Sequence, residues 1–361
     1  MNRQLFVPVL AVLVSACEQP VDVPVVAERY VTPSDPAMNI DSVATHGLGG
    51  GGAWLFATAK EGHVIRIYDA ASGEHLRDLG APGAGPGELR RPNGILAADG
   101  MLIVVERDNA RVQIFSASGL EPVTSFGEDV LERPYGAWLE HRAPGSYRLY
   151  VTDAYETADG RVPPPAALDR RVHVFSLGVE RGTAGEAAAV TAVHERAFGE
   201  TEGPGMLYGV ESIWGDPAND RLLVAEEDET GGRVIKVYGF DGRYAGAAIG
   251  DGIFRTEPEG IALYECADGT GYWITTDQDD GRNVFHLFDR QTLAHLGGFA
   301  GELTRNTDGI WLAQEVLPGF PAGALFAVHD DRAVAAFDWR DITAALALPP
   351  GCPVADALVA P

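Results

Sequence analysis

Residues 102–115 read Leu-Ile-Val-Val-Glu-Arg-Asp-Asn-Ala-Arg-Val-Gln-Ile-Phe, a pattern that recurs along the chain. Two apolar segments, 102–107 and 111–115, are separated by a short polar turn, and the second segment ends in an aromatic residue. Segments of this length, rich in β-branched residues and bounded by turn residues, predict an antiparallel pair of strands. The same unit recurs along the chain, and recurrence at a regular spacing predicts a repeat architecture.

The strand that ends in an aromatic residue occurs six times. Its last residues are Tyr68, Phe115, Phe175, Tyr238, Phe288 and Phe337. Consecutive copies are separated by 47 to 63 residues, which is the length of a four-stranded propeller blade with its loops. A two-sheet sandwich would not produce such equal repeats.

Two other strand classes precede each aromatic strand. The nearer one is apolar and ends in a polar or charged cluster, as at 222–227. The earlier one opens with a polar residue followed by a small residue. Its six copies begin at Asp41, Asn93, Tyr135, Glu211, Glu259 and Asp308. In a propeller this first strand lines the channel, so we expect the small residue to permit close approach of neighbouring backbones. A fourth, outer strand follows the aromatic one, as at 74–79.

The sequence therefore predicts an all-β protein, a six-bladed β-propeller with four-stranded antiparallel blades. The 44 glycines and 23 prolines suit short strands and tight turns rather than a helical bundle. We expect residues 36–349 to form the propeller, residues 17–35 a tether with a strand at 28–32, and residues 350–361 a tail. The protein is expected to be a monomer.

The first residues predict export. The apolar run 5–14 is too short to cross a bilayer, and it follows a short cationic start, as in the central region of a signal peptide. Residues 13–17, Leu-Val-Ser-Ala-Cys, resemble a lipobox. The resemblance implies removal of residues 1–16, lipidation of Cys17 and anchoring to the cell envelope, in the outer membrane facing the periplasm or the surface. The alternative is an ordinary signal peptide with a chance cysteine.

The overall charge limits the partners. A formal net charge of −25 argues against nucleic acid as a partner, because phosphate backbones attract clustered lysine and arginine. Such an acidic chain suits a protein that holds hard cations, or it serves only the solubility of an exported protein. An exported compartment also permits a disulfide between Cys266 and Cys352, and this pairing stays open.

Charged residues are expected to gather at one face of the propeller. Adjacent strands are antiparallel, so the ends of the second strands lie beside the starts of the first strands. Those ends carry Lys60, Arg107, Glu227, Asp277 and Asp330. Crowded carboxylates repel each other unless a cation neutralises them, and Ca²⁺ takes six to eight oxygen ligands. No histidine or cysteine opens a first strand, so the ligand set is hard oxygen. Alternatively, these acids are solvated loop residues at a propeller mouth.

At these residues the chain resembles the β-propeller phytases, the calcium-dependent alkaline phytase family. The likeness is best over 257–342. It covers Glu-Pro-Glu-Gly-Ile at 257–261, Gly-Thr-Gly-Tyr-Trp-Ile-Thr-Thr-Asp-Gln at 269–278, Asn-Thr-Asp-Gly-Ile at 306–310, the segment 318–330 and the segment 337–342. Two features depart from the family pattern: a single acid at Asp41 where the family has a pair, and no lysine at 151–155. Residues 81–97 instead resemble the opening of an NHL repeat.

The phytase resemblance implies a set of site residues and a substrate. The metal ligands would be Asp41, Glu211, Glu257, Glu259, Asp308 and Asp330. The contacts to substrate phosphate would be Lys60, Arg107 and Tyr135, and the catalytic residues would be Glu227 and Asp277. The cofactor would be Ca²⁺, and the substrate a phosphorylated small molecule, calcium-bound inositol phosphate.

Three functions follow from these observations. The first is a calcium-dependent phosphomonoesterase of phytase type (3-phytase-like), which hydrolyses inositol phosphates through a metal-activated water. The second is a calcium propeller lactonase or esterase with one channel calcium and no Lys/Arg pair. The third is a non-catalytic, NHL-like binding lipoprotein.

The lipobox generates a direct test. Metabolic labelling with palmitate is expected to tag the wild-type protein and not Cys17→Ser, because the thiol of Cys17 carries the lipid. Equal labelling of both proteins would end the lipoprotein hypothesis.

Overall fold

A computed structural model describes residues 23–48, 50–182, 185, 187–349 and 352. The predicted signal peptide, Cys17 and most of the predicted tail lie outside these residues. The described chain forms six β-sheets, five of four strands and one of five strands. The predicted six-bladed β-propeller is confirmed. Among the described residues, no helix is long and apolar enough to span a membrane.

The strands follow one another blade by blade. Two short strands come first, β1 (Val25–Val26) and β2 (Tyr30–Val31). Blade one contains β3 (Ile40–Gly47), β4 (Ala53–Ala59), β5 (Val64–Asp69) and β6 (His75–Leu79). Blade two contains β7 (Pro92–Ala98), β8 (Met101–Glu106), β9 (Arg111–Ser116) and β10 (Pro122–Phe126). Blade three contains β11 (Pro134–Ala143), β12 (Ser146–Asp153), β13 (Val172–Arg181) and β14 (Ala187–Phe198).

The second half of the chain repeats this order. Blade four contains β15 (Val210–Asp216), β16 (Arg221–Glu226), β17 (Val234–Tyr238) and β18 (Tyr244–Ile249). Blade five contains β19 (Glu257–Glu265), β20 (Gly271–Gln278), β21 (Val284–Asp289) and β22 (His295–Gly301). Blade six contains β23 (Ile310–Ala313), β24 (Ala324–His329) and β25 (Ala333–Asp338), which α1 (Trp339–Ala345) follows. Short 3₁₀ turns lie at Pro165–Ala167, Pro217–Asn219 and Glu229–Gly231.

The first strands close the circle. They contact one another in the order β3, β7, β11, β15, β19 and β23, and β23 returns to β3. The start of the chain completes the last blade, because β2 pairs antiparallel with β25 as the fourth strand of blade six. This places the start of the described chain next to its end, and it confirms the strand expected at 28–32.

Two further contacts fasten the ends of the chain to blade five. Strand β1 pairs in parallel with β22, which makes this sheet the five-stranded one. Cys352 of the tail forms a disulfide with Cys266, so the pairing that the sequence left open is present. Both ends of the described chain are thus held on blade five.

The six aromatic residues that revealed the repeat are core residues. Tyr68, Phe115, Phe175, Tyr238, Phe288 and Phe337 are all at most 2% exposed. Burial of one large apolar side chain stabilises a fold by about 1.5–3 kcal/mol. The recurrence therefore reflects a packing requirement that every blade meets with the same residue type.

Five of the six first strands contain one extra residue near the propeller axis. In β3, Asp41 and Ser42 together oppose the single residue Thr58 of β4. The register shifts in the same way in β7, β11, β15 and β19, at the polar–small dipeptide of each repeat. A bulge of this kind bends a strand and redirects a side chain. In blade six the equivalent residues, Asp308 and Gly309, come directly before β23.

Four of the six small residues are glycines, and each of these glycines lies against the backbone of the next blade. A Cβ atom on Gly136 would lie 2.5 Å from the carbonyl oxygen of Glu211, well inside van der Waals contact. The amide of Gly309 donates a 2.8 Å hydrogen bond to the carbonyl of Asp41, which joins blade six to blade one. The expectation that small residues permit close approach at the axis is confirmed.

Below this ring of bulges the channel is nearly filled. Isoleucines 95, 213, 261 and 310 line a space of only about 50 Å³. Trp214 and Trp311 pack edge to face with ring centres 5.8 Å apart. A ligand therefore reaches the ring from its polar face.

The seam between blades three and four generates a stability prediction. Gly136→Ala is expected to lower the free energy of unfolding by about 1–3 kcal/mol, because the added methyl group overpacks a rigid backbone contact. Gly47→Ala is the matched control, since a Cβ at that glycine meets nothing within 4 Å. Chemical denaturation of both variants measures the difference, and equal stabilities would contradict the close approach.

Candidate metal site at the channel mouth

Three carboxylates from blades four and five converge beside the propeller axis. Glu211 lies on the bulge of β15, Glu259 on the bulge of β19, and Glu227 follows the last residue of β16. One oxygen of each lies within 4.8 Å of the others. Two oxygens that bind one calcium ion at about 2.4 Å are at most about 4.8 Å apart, so this spacing fits a shared cation.

The carboxylates of this cluster destabilise each other when all are charged. Burial, and then the charge of Glu227, raise the pKa of Glu211 well above its usual range. Burial and the charges of Glu211 and Glu227 do the same for the pKa of Glu259. Burial raises the pKa of Glu227 to about 7, although a hydrogen bond with Glu259 opposes the rise. A divalent cation would remove this repulsion, and an all-oxygen donor set is the one Ca²⁺ prefers.

The other side of the ring holds a buried ion pair. The ammonium of Lys60 lies 2.6 Å from Oδ1 of Asp41 and 3.5 Å from Oδ2 of Asp308. The hydroxyl of Tyr135 donates a 3.1 Å hydrogen bond to the same Oδ1 of Asp41. The amide of Gln278 donates a hydrogen bond to Asp308. These contacts bring residues from blades one, three, five and six together at the axis.

Charges around the ring are strongly coupled. Burial disfavours the charged form of Lys60, but Asp41 and Asp308 outweigh it and keep the pKa of the ammonium above its usual value. Burial, and next the charge of Asp41, raise the pKa of Asp308. Burial also raises the pKa of the Tyr135 hydroxyl, and the nearby acids Asp41 and Glu211 add to the rise. One lysine therefore serves several acids, and negative charge remains in excess.

Asp277 lies elsewhere and ties a loop to its blade. Its carboxylate accepts hydrogen bonds from the backbone amides of Arg255 and Thr256, at distances of 3.0–3.2 Å, and a 2.9 Å bond from the hydroxyl of Thr256. Burial would raise its pKa, but the nearby imidazole of His286 and these bonds hold it below the usual value. The structure thus places this residue in a loop anchor rather than in the carboxylate cluster.

The same loop anchor recurs in three other blades. An acid at the end of the second strand accepts amide hydrogen bonds from the loop before the first strand. Its other examples are Glu106, Asp153 and Glu226. The sequence did not separate these anchors from channel acids, because both stand at the same strand end. Glu226 and Glu227 show the difference: the first is fully buried in the anchor, and the second belongs to the cluster.

Three more predicted residues lie at the rim. Asp330 forms 2.9 Å ion pairs with Arg305 and Arg332, so its charge is already balanced. Glu257 is exposed and raises the pKa of Glu227 through its charge. The guanidinium of Arg107 lies 3.1 Å from Asp108 in a partly exposed pair.

Asp331 is closer to the ring than its predicted neighbour Asp330. Burial raises its pKa, the nearby ammonium of Lys60 lowers it, and the charge of Asp41 raises it further. Asn306 donates a 3.1 Å hydrogen bond to its carboxylate. The adjacent Asp-Asp pair in the sequence is the signal that could have found it.

A cleft of about 440 Å³ opens beside the carboxylate cluster. Glu227 and Glu257 line one side, and Tyr155, Tyr208 and Arg233 line others. A volume of this size accommodates a small organic ligand. Since Glu227 belongs to both the cluster and the cleft, a ligand in the cleft would lie next to a cation on the cluster.

Comparisons with known proteins give no family for this chain. No protein-family model matches the chain, and no curated protein matches it by sequence. Among solved structures, the β-propeller domain of Cps50 (Swd1) from Myceliophteria thermophila is 12% identical, with a TM-score of 0.47; the match covers 86% of this chain and 99% of that one. A chain of a nidogen/laminin complex is 14% identical with a TM-score of 0.45, covering 76% and 84%. Neither likeness bears on activity.

The chain is therefore a six-bladed β-propeller with a carboxylate-rich channel mouth.

The cluster generates a prediction whose sign depends on calcium. Without cations, Glu227→Gln is expected to melt with the wild type at pH 4 and about 2 °C or more above it at pH 8. Burial raises the folded-state pKa of Glu227 from 4.5 to about 7, so the wild type loses stability as the pH rises from about 4.5 to about 7, whereas the glutamine variant does not. In calcium the order should reverse at pH 8, because the variant lacks a ligand. A difference in melting temperature between variant and wild type that changes with neither pH nor calcium would contradict the proposed cation site.

Proposed function

We propose that the protein is a calcium-dependent phosphomonoesterase of phytase type, with its centre at the channel mouth. The observation that carries the proposal is the convergence of Glu211, Glu227 and Glu259 within 4.8 Å of one another. A hard cation held there would present an open face toward the cleft and the axis. The resemblance of residues 257–342 to β-propeller phytases points in the same direction.

An anionic substrate fits the charge distribution once calcium is bound. Lys60 and the hydroxyl of Tyr135 lie on the ring beside Asp41, within reach of the same axial space. Arg107 is paired with Asp108 in a partly exposed contact. Ion pairs of this kind contribute little to stability, so the guanidinium can leave the carboxylate of Asp108 and bind a phosphate. Guanidinium groups bind phosphate through two parallel hydrogen bonds.

The chemistry is a hydrolysis of a phosphate ester. When bound, calcium would neutralise the carboxylates and lower the pKa of a coordinated water. Glu227 lines the cleft, and in this proposal its carboxylate accepts a proton from the attacking water. The water oxygen bonds to phosphorus, the bond from phosphorus to the ester oxygen breaks, and the alcohol leaves with a proton from solvent. Lys60 and Tyr135 stabilise the negative charge on the phosphoryl oxygens.

A second candidate is a calcium propeller lactonase or esterase. The specific observation in its favour is that Lys60 is enclosed by Asp41 and Asp308, while Arg107 is held by Asp108. In that activity, the cation would polarise a carbonyl without any contribution from the Lys/Arg pair. Hydrolysis of a lactone that survives Lys60→Gln would favour this candidate.

We further propose that the propeller acts at the cell envelope as a lipid-anchored protein. The apolar run 5–14 and the lipobox-like residues before Cys17 support this location. The disulfide between Cys266 and Cys352 also suits an oxidising compartment outside the cytoplasm.

The phosphatase proposal is tested by phosphate release from inositol hexakisphosphate in calcium and in chelator. Phosphate release is expected in calcium and not in chelator. Lys60→Gln and Arg107→Ala should each reduce the rate of release by about 100-fold, because each removes one group that stabilises negative charge in the transition state. Calcium-dependent melting should persist in both variants.

Arg243→Ala is the matched control for these variants. Its side chain is 85% exposed and its pair with Asp241 is long, at 4.0 Å. The control should release phosphate like the wild type. Absence of release from the wild type in calcium would rule out the phytase-type activity, and full activity of both cation variants would rule out the anion site.

A further inference from the structure

The two halves of the ring carry opposite chemistry. Blades four to six contribute the acids Glu211, Glu259 and Asp308 at the first-strand bulge. Blades one to three contribute groups that can donate hydrogen bonds, namely Lys60 and Tyr135 and the amide of Asn93. Asp41 also lies in the donor half, and both Lys60 and Tyr135 already contact it. A cation would bind in one half, and the other half would face it across the axis.

Asn93 is the least explained residue of the donor half. It occupies the bulge of β7, the position that Asp41, Tyr135 and Glu211 occupy in their own blades. Its backbone carbonyl accepts a 2.7 Å hydrogen bond from the hydroxyl of Thr58, which fixes the backbone. The residue is fully buried, yet neither its amide nitrogen nor its amide oxygen has a hydrogen-bond partner among the described residues.

An amide in this state calls for a partner that protein groups do not supply. Leaving a buried donor or acceptor unpaired is costly, and native proteins pair such groups with protein, water or ligand. Blade two lies opposite blade five in the cyclic order of first strands, so Asn93 faces the half that holds Glu259. Because its side chain has no exposed surface in this structure, a ligand atom can pair with it only after a neighbouring side chain shifts.

Building on the proposed function, we propose that Asn93 is a substrate-contacting residue whose Nδ2 donates to one oxygen of an anion held by the axial cation. The anion oxygens nearest the cation face the carboxylate half, and the far oxygen meets Asn93 between Lys60 and Tyr135. A neutral amide suits this place better than a carboxylate, since an acid there would repel the anion. The ligand class is a compact tetrahedral oxyanion such as a phosphoryl group.

The test uses the full chain carrying Cys17→Ser, which removes the site of lipidation. Inorganic phosphate is the probe, and its binding to the calcium-saturated protein is measured by calorimetry, with calcium binding measured separately. Asn93→Ala is expected to weaken phosphate binding by about tenfold or more, the loss of one hydrogen bond to a charged group. Asn93→Asp should abolish phosphate binding. Calcium affinity of Asn93→Ala should stay within about threefold of the wild type, since the residue does not ligate the cation.

Each other outcome has a defined meaning. Wild-type phosphate affinity in both variants would overturn the inference and assign the amide to an enclosed water. Much tighter calcium binding by Asn93→Asp, with weaker calcium binding by Asn93→Ala, would overturn it by making the residue a cation ligand. Calcium binding without any phosphate binding by the wild type would overturn the proposed function itself. If Asn93→Ala loses calcium-dependent melting, the phosphate affinities of the near-isosteric Asn93→Asp and of the small polar variant Asn93→Ser test the inference instead.

Discussion

Close contact between neighbouring backbones at the axis is the constraint on which the rest of the structure depends. Gly136 and Gly309 touch the carbonyls of the next blade, and any larger residue would push the blades apart. Each contact also coincides with a bulge, where two residues of the first strand oppose one of the second. The bulge directs the polar residue before the small one toward the axis. Closure of the propeller and assembly of the ring therefore have the same local cause.

Assembly of the ring creates an electrostatic problem that the fold alone does not solve. Glu211, Glu259 and Asp308 are enclosed together, and burial and mutual repulsion raise the pKa of each. Lys60 compensates the side near Asp41, but the cluster with Glu227 has no cation of its own among the described residues. Without a bound cation this arrangement lowers the stability of the fold. We therefore interpret it as a functional site for a divalent cation.

The repeat made the fold predictable, whereas the site was only partly so. The aromatic core residues and polar–small dipeptides follow from packing rules that each blade repeats, so six registers could be aligned by eye in the sequence. The strand-end acids could not be sorted, because Asp277 in a loop anchor and Glu227 in the cluster have the same pattern and differ only in what the neighbouring loop offers. The ion pair between Lys60 and Asp308 joins two blades that are far apart in the sequence, and no local sequence pattern predicts it.

Anomalous diffraction from crystals of the full chain grown with calcium would locate the cation directly. We expect an anomalous peak beside the axis, at about 2.3–2.6 Å from carboxylate oxygens of Glu211, Glu227 and Glu259. Crystals grown in saturating calcium that show these three carboxylates bonded to one another, with no cation between them, would contradict it.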